Sequence, residues 1–217
     1  MYGTGKDLEK IAKSFENTPL RILEVGCGEG LLFSRWLKEG HEVWGIEPER
    51  DAANRLIERY PECRIIPEPL EDASLPENYF DLVYMLHVIE HLTNPLEDMK
   101  KIYRALKEHG VLFLITPDAD SKGFNVFKES WWYLEDPSHR FFFTPRSVRF
   151  LLERVGFSDV EILKPLFESF TFEASSMFRK LNLKVRNFII KSILLLLFSG
   201  FLFPLRLFFP SFRPSIQ

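Results

Sequence analysis

Cysteine is nearly absent from this 217-residue chain: only Cys27 and Cys63 occur, with no Cys-x-x-Cys pair. A disulfide framework and a structural zinc site are thereby excluded. The N-terminus offers no uninterrupted apolar run, because Lys6, Asp7, Glu9 and Lys10 break it. No secretory leader is expected there, and a reducing, cytoplasmic address fits. An excess of positive charge is also lacking, with 28 Lys/Arg against 31 Asp/Glu. That balance argues against a protein that coats nucleic acid. What is present in quantity is hydrophobic residues, 46% of the chain, which excludes ordinary disorder.

The near-neutral total conceals a division. Residues 1–163 carry 20 Lys/Arg against 29 Asp/Glu, whereas residues 164–217 carry eight against two and hold 11 of the 22 Phe. Two parts are expected, a folded acidic domain over 1–165 and a basic, Phe-rich tail over 166–217.

Strand-like and helix-like segments alternate through residue 163. The patterning predicts strands over 21–25, 41–46, 63–66, 80–86 and 111–115, and a sixth, by alternation, over 157–163. It predicts helices over 6–17, 29–38, 49–59, 95–107 and 145–155, with Pro48 in a first helical turn and Asn94-Pro95 and Thr144-Pro145 as helix starts. Residues 117–143 read as a long irregular stretch rich in aromatics. This order implies an α/β fold, a Rossmann-like doubly wound and mostly parallel sheet with helices on both faces. A C-terminal apolar helical tail would follow it.

The sharpest local signal is Leu23-Glu24-Val25-Gly26-Cys27-Gly28-Glu29-Gly30. It lies between the first strand and its helix, where open sheets bind ligands. The spacing is Gly-x-Gly-x-Gly rather than the dinucleotide pattern, since Leu31 stands where that pattern needs glycine. The loop carries Glu24 and Glu29 and no Lys, so phosphate or pyrophosphate fits poorly and a ligand with a cationic group fits better. Glu47, at the end of the second strand, can accept from both hydroxyls of a ribose, or stand as an acid favoured at a helix N-terminus. Leu70-Glu71-Asp72-Ala73 follows the third strand and would reach the same crevice. A backbone N–H and a carboxylate there could read an adenine edge.

With these segments, and with Gly45-Ile46-Glu47-Pro48, Tyr79-Phe80-Asp81-Leu82-Val83, His87-Val88-Ile89-Glu90-His91-Leu92 and Leu106-Lys107-Glu108-His109-Gly110-Val111-Leu112, residues 19–163 resemble class I S-adenosylmethionine-dependent methyltransferases. The small-molecule and glycan-associated type, similar to the ubiquinone-pathway O-methyltransferases, matches best. The resemblance implies S-adenosylmethionine as cofactor. Gly26, Gly28 and Gly30 would line its methionine part, and Glu24 would anchor the ammonium. Glu47 would hold the ribose, Leu70 and Glu71 would face the adenine, and Leu86 and His87 would close the methionine end.

Methyl transfer to a hydroxyl needs an aligned nucleophile and, for its proton, a base, for which histidine is the usual choice. His91 and His139 are the candidates. His87, Glu90 and His91 share one face if helical, which fits a cluster of hydrogen bonds, a base, or a divalent ligand set similar to the acid-x-x-Glu-His motif of ubiquinone-pathway enzymes. His87 stands where that motif has an acid, so no metal is expected. Trp131-Trp132-Tyr133 and Asp136 to Pro145 lie where this family builds its acceptor pocket, either as ligand contacts or as a packed lid. Segments similar to Pro137-x-His139 through Phe143-Thr144-Pro145 occur in methyltransferases of surface-glycan and lipid-linked pathways. The expected function is therefore methylation, at oxygen, of a small-molecule or lipid-linked glycan acceptor. A quinone-pathway O-methyltransferase and a non-catalytic, membrane-recruited cofactor binder are the alternatives. No nucleic-acid partner is expected.

In the tail, the uncharged run Ser192–Leu205 is 14 residues long, short for a membrane span. Residues 179–209 read as a segment lying on the cytoplasmic membrane face, with Arg179, Lys180, Lys184 and Arg186 toward anionic headgroups. Packing against the sheet edge or in a dimer is the alternative. The sequence leaves the oligomeric state open.

Overall fold

A computed structural model describes residues 2–16, 18–163, 176, 180 and 215–216. Its elements run α1 (Tyr2–Ser14), β1 (Arg21–Val25), α2 (Phe33–Lys38), β2 (Glu42–Ile46), α3 (Arg50–Arg59), β3 (Arg64–Ile66), β4 (Phe80–Leu86), α4 (Pro95–Ala105), β5 (Leu106–Pro117), α5 (Lys122–Phe127), α6 (Pro145–Val155) and β6 (Ser215–Ile216). Three short 3₁₀ turns, Ile89–His91, Lys128–Ser130 and Trp132–Leu134, sit around the later strands. The sheet order is β3-β2-β1-β4-β5-β6. The first five strands are parallel and β6 is antiparallel to β5. The chain reverses its direction of sheet growth between β1 and β4, so the crevice of a doubly wound fold opens at their C-terminal ends.

Period-two alternation divides the strand residues between two cores. Leu23 and Val25, Trp44 and Ile46, Val83 and Met85, and Leu114 face Met99, Ile102, Val148 and Leu152 of α4 and α6. Ile22, Val43, Leu82 and Tyr84, and Phe113 and Ile115 face Leu8, Phe33, Trp36 and Leu56 of α1, α2 and α3. The expectation of helices on both faces therefore holds. The helix starts follow their caps. Asn94 accepts from Glu97 N at 3.4 Å ahead of Pro95. Thr144 and Ser147 close a capping box ahead of α6.

Several boundaries differ from the sequence reading. The second helix begins at Phe33, not 29, because Gly30 N and Phe33 N close turns on Cys27 O and Gly30 O first. Pro48 is not in a helical turn; Glu49 is the cap of α3 and accepts from Asp51 N and Ala52 N. The fourth helix stops at Ala105 rather than 107, and the next strand begins at once. Leu106 pairs with Phe80, then residues 107–110 loop out before Val111 rejoins at Leu82. Residues 157–163 form no strand; β5 takes Ser215–Ile216 instead, opposite Pro117 and Thr116. The apolar tail run lies outside the described residues; of the four basic residues assigned to headgroups only Lys180 is described, and its ammonium donates to Val126 O. No described helix is long and apolar enough to cross a membrane.

Candidate functional site

The three loop glycines differ in what surrounds them. A Cβ on Gly30 would sit 2.7 Å from Leu56 Cδ2 and one on Gly26 2.5 Å from Val88 Cγ2, so these two are held by packing. A Cβ on Gly28 would meet nothing within 4 Å. Gly28 thus presents bare backbone to open space, with a φ of +50° that favours glycine. Three loop amides are already committed. Gly26 N and Cys27 N donate to Ile46 O, and Gly28 N donates to Glu47 Oε2 at 2.7 Å. No nest of free N–H groups for a phosphate remains at these positions, in line with the charge argument from sequence.

Glu47 is 8% exposed. Its second oxygen accepts from Glu49 N at 3.0 Å. One carboxylate thus ties the glycine loop to the start of α3 and keeps lone pairs for further donors. Glu24, 6% exposed, faces the register partner Tyr84, whose hydroxyl donates to its Oε2 at 2.6 Å. Trp36 Nε1 donates in turn to the Tyr84 hydroxyl at 3.2 Å. Burial pushes the Glu24 carboxyl up to about 8, against the Tyr84 hydrogen bond, with the Glu47 charge adding to the rise. Tyr84 and Trp36 were not singled out in the sequence, where both read as core. The acid inside the apolar stretch Ile22–Val25 was the only signal; which residue lies opposite it depends on the β1–β4 register.

Leu70 is buried and Glu71 exposed, in the turn after β3. Lys101 of α4 donates to Leu70 O, Glu71 O and Ala73 O; sequence reading missed it among many surface lysines. Leu86 ends β4. His87 follows in a left-handed conformation, φ 56°, its N–H on Ile115 O and its ring stacked 6.0 Å from Tyr133. Glu24, the glycine loop, Glu47, the 70–73 turn and His87 therefore all lie at the C-terminal edge of the sheet.

The second cluster is brought together by the stretch after β5. Arg140 N and Phe141 N donate to Glu90 O, which lays His139 against His91, ring centres 4.6 Å apart. Glu90 is 1% exposed; Thr116 Oγ1 donates to its Oε2 at 3.0 Å and His87 Nδ1 lies 3.2 Å from its Oε1. The ligand atoms of Glu90, His91 and His139 fall within 4.8 Å of one another, close enough to share one cation. With His87, Trp132, Tyr133, Glu135 and Asp136, the two histidines line a cavity of about 600 Å³. That volume suits a small molecule or a sugar unit.

Partners fix the histidine tautomers. His139 Nδ1 lies 2.5 Å from Tyr133 O, a pure acceptor, so Nδ1 carries a proton, and in the neutral ring Nε2 bears the lone pair. Ser138 Oγ gives its one proton to Asp136 Oδ1 at 2.5 Å and so accepts from His91 Nδ1 at 2.9 Å. His91 Nε2 is then also an acceptor. Both Ser138 hydrogen bonds hold the Asp136 carboxyl below the usual carboxylate range. Asp136 and Ser138 carried no role in the sequence reading beyond lining the pocket.

The tail reaches this region at its described residues. Trp132 N donates to the buried Ser176 hydroxyl at 2.8 Å, and Lys180 Nζ to Val126 O.

The fold agrees with the comparisons to known proteins. A family model described as "Methyltransferase domain" matches residues 4–162. The tRNA U34 carboxymethyltransferase of Vibrio cholerae serotype O1 is 29% identical over 150 residues, 65% of this chain and 46% of that protein. The chain thus spans about half the length of that relative. A SAM-dependent methyltransferase from Archaeoglobus fulgidus superposes with a TM-score of 0.58 at 25% identity, covering 73% of this chain and 70% of that one. The Haemonchus contortus phosphoethanolamine N-methyltransferase 2, solved with S-adenosyl-L-methionine, reaches 0.66 at 17% identity, covering 97% and 51%; at that identity the likeness is one of fold.

Proposed function

Because the chain belongs to the methyltransferase-domain family, whose cofactor is S-adenosylmethionine, we propose that it methylates a hydroxyl of a small-molecule or lipid-linked glycan acceptor, with the His91–His139 pair receiving the proton. The carrying observation is the pair itself: two imidazoles, with Nδ1 held by Ser138 Oγ and by Tyr133 O, that face each other beside a cavity of about 600 Å³.

The crevice residues fit the cofactor. Gly28 leaves room for close approach, and Glu24 and Glu47 supply carboxylates suited to an ammonium and a ribose diol. When bound, S-adenosylmethionine supplies an electrophilic methyl group on a cationic sulfur. Glu47 accepts from the ribose hydroxyls while keeping the loop closed through Gly28 N. Glu24 in its ionised form neutralises the ammonium, with Tyr84 holding that oxygen in place. Trp132, half-buried at the cavity, offers an apolar face for a sugar ring, and the buried Tyr133 behind His87 keeps water from the reacting oxygen. His139 Nε2 takes the acceptor's proton, and the resulting imidazolium is stabilised by its Nδ1–H on Tyr133 O and by the buried Glu90 carboxylate nearby.

A second reading is favoured by the printed name of the Vibrio cholerae relative: a nucleoside of an RNA as acceptor. The net excess of acids in residues 1–163 and the carboxylates of Glu135 and Asp136 beside the cavity favour the neutral acceptor. The lipid-linked form brings the tail with it, since Arg179, Lys184 and Arg186 and the apolar run 192–205 suit the cytoplasmic membrane surface that such an acceptor occupies. The test is incubation with methyl-labelled S-adenosylmethionine and separated lipid, glycan and RNA fractions from cells, followed by mass spectrometry. Label in the lipid-linked or small-glycan fraction is the expected result. Label confined to RNA establishes the second reading in its place.

A further inference from the structure

Lys101 is spent entirely on one turn. Its ammonium lies 2.7 Å from Leu70 O, 2.6 Å from Glu71 O and 3.1 Å from Ala73 O. An ammonium has three N–H donors, so these bonds saturate it. The side chain crosses from α4 to the loop after β3, two elements that the chain separates by some thirty residues. The turn is closed independently, since Asp72 N and Ala73 N both donate to Pro69 O at 3.0 Å. The lysine is therefore not needed to make a turn there; what it adds is control over the peptide planes.

In a trans peptide unit the carbonyl and the following N–H point in opposite directions. Holding Leu70 O on Lys101 consequently turns the Glu71 N–H away from α4. Among the described residues that N–H donates to nothing. The turn thus carries a backbone donor fixed in direction, with the Glu71 carboxylate on the same residue. A fixed donor beside an acceptor-only group matches the Watson–Crick edge of adenine, an acceptor at N1 next to a donor at the exocyclic amine. Hypoxanthine presents the reverse, a donor at N1 and an acceptor at C6.

Resting on the cofactor reading above, we propose that Lys101 is the positioning residue for base recognition: it orients the Leu70–Ala73 turn so that the Glu71 N–H meets adenine N1, and so makes the site selective for adenosyl over inosyl cofactors. Its effect is on binding and base discrimination, not on the proton transfer at the histidines.

The test is calorimetric titration of the full chain with S-adenosylhomocysteine, its 1-deazaadenosyl analogue and its inosyl analogue, for wild type, Lys101→Met and Lys101→Arg. Wild type is expected to bind the 1-deaza compound about tenfold more weakly than S-adenosylhomocysteine, the loss of one hydrogen bond, and the inosyl compound more weakly still, because its N1–H would face a fixed donor. Lys101→Met should lose about tenfold for S-adenosylhomocysteine while the 1-deaza and inosyl penalties shrink toward none. Lys101→Arg, which can still donate to carbonyls, should recover part of the discrimination. A folded Lys101→Met protein with the wild-type pattern of all three affinities overturns the proposal while leaving the cofactor reading intact. Should that variant not fold, the wild-type arm decides: equal affinity for the 1-deaza compound also overturns it. Failure of wild type to bind S-adenosylhomocysteine at all would instead remove the cofactor reading on which the proposal stands.

Discussion

The two walls of the crevice are built differently. The wall formed by β1, β2, β4 and the glycine loop is buried and set by the pairing of the sheet. Its carboxylates are fixed by backbone amides and strand register, as in Gly28 N on Glu47 and Tyr84 opposite Glu24. The opposite wall is assembled from residues some fifty apart in the chain, held by Arg140 and Phe141 amides on Glu90 O and by side chains of the exposed Asp136–Ser138 segment. Binding a constant cofactor suits a rigid frame made of main chain. A family-specific acceptor suits a wall made of side chains on an irregular segment, which can change without disturbing the sheet.

If that division is correct, substitutions on the two walls should separate turnover from cofactor affinity. The largest effect is expected for His139→Ala. Loss of a general base should lower kcat about 10²- to 10⁴-fold, with S-adenosylhomocysteine affinity unchanged by calorimetry. An equal fall in both would erase the distinction between the walls. Glu47→Ala should do the reverse. It removes an ionised acceptor from Gly28 N and from the ribose, a loss of about 3 kcal/mol, or roughly 100-fold in affinity.

The pH dependence of cofactor affinity sharpens the comparison further. Glu24 is raised to about 8 in the free protein. Below that pH the carboxyl must release a proton before it can pair with an ammonium. Affinity should therefore climb by up to about tenfold per unit from pH 6 to 8 and level off above. Glu24→Gln should flatten this rise. The same shift has the opposite sign for the free fold. The native state keeps a proton that the unfolded chain releases, so this contribution to stability is complete below the ordinary carboxyl value of 4.5 and is lost as pH rises through about 8. Urea unfolding of the ligand-free protein across that range would show it.

The smallest expected effects lie within one loop. Gly30→Ala places a Cβ 2.7 Å from Leu56 and 3.2 Å from the Phe33 ring and should lower stability by about 1–3 kcal/mol. Gly28→Ala meets no protein atom and should cost only about 1 kcal/mol of backbone strain, yet weaken S-adenosylhomocysteine binding more than Gly30→Ala does. Thermal melts and titrations of the pair check the assignment.

The sequence carried the frame better than the second wall, for a physical reason. β1, β4, the caps at Asn94 and Thr144 and the glycine loop are local patterns, readable from periodicity and spacing. The expected strand at 157–163 failed because alternation also describes an extended segment packed by its apolar side chains without a partner strand. Val160 and Ile162 do pack on the core there. The late start predicted for β5 missed the pairing of Leu106 with Phe80, which no local pattern encodes. Among the candidate site residues, Glu47, His91 and His139 were legible as polar groups at strand ends and in the aromatic stretch, whereas Glu24's role came only from the resemblance. Tyr84, Lys101, Asp136 and Ser138 were not legible, because their roles depend on which backbone atom or ring nitrogen lies opposite.

The most direct test of the whole account is a crystal structure of the chain with S-adenosylhomocysteine. The account predicts the ribose hydroxyls on Glu47, the ammonium toward Glu24 and the sulfur facing the cavity lined by His91 and His139. A ligand seated elsewhere, or one whose sulfur points away from both histidines, would contradict it.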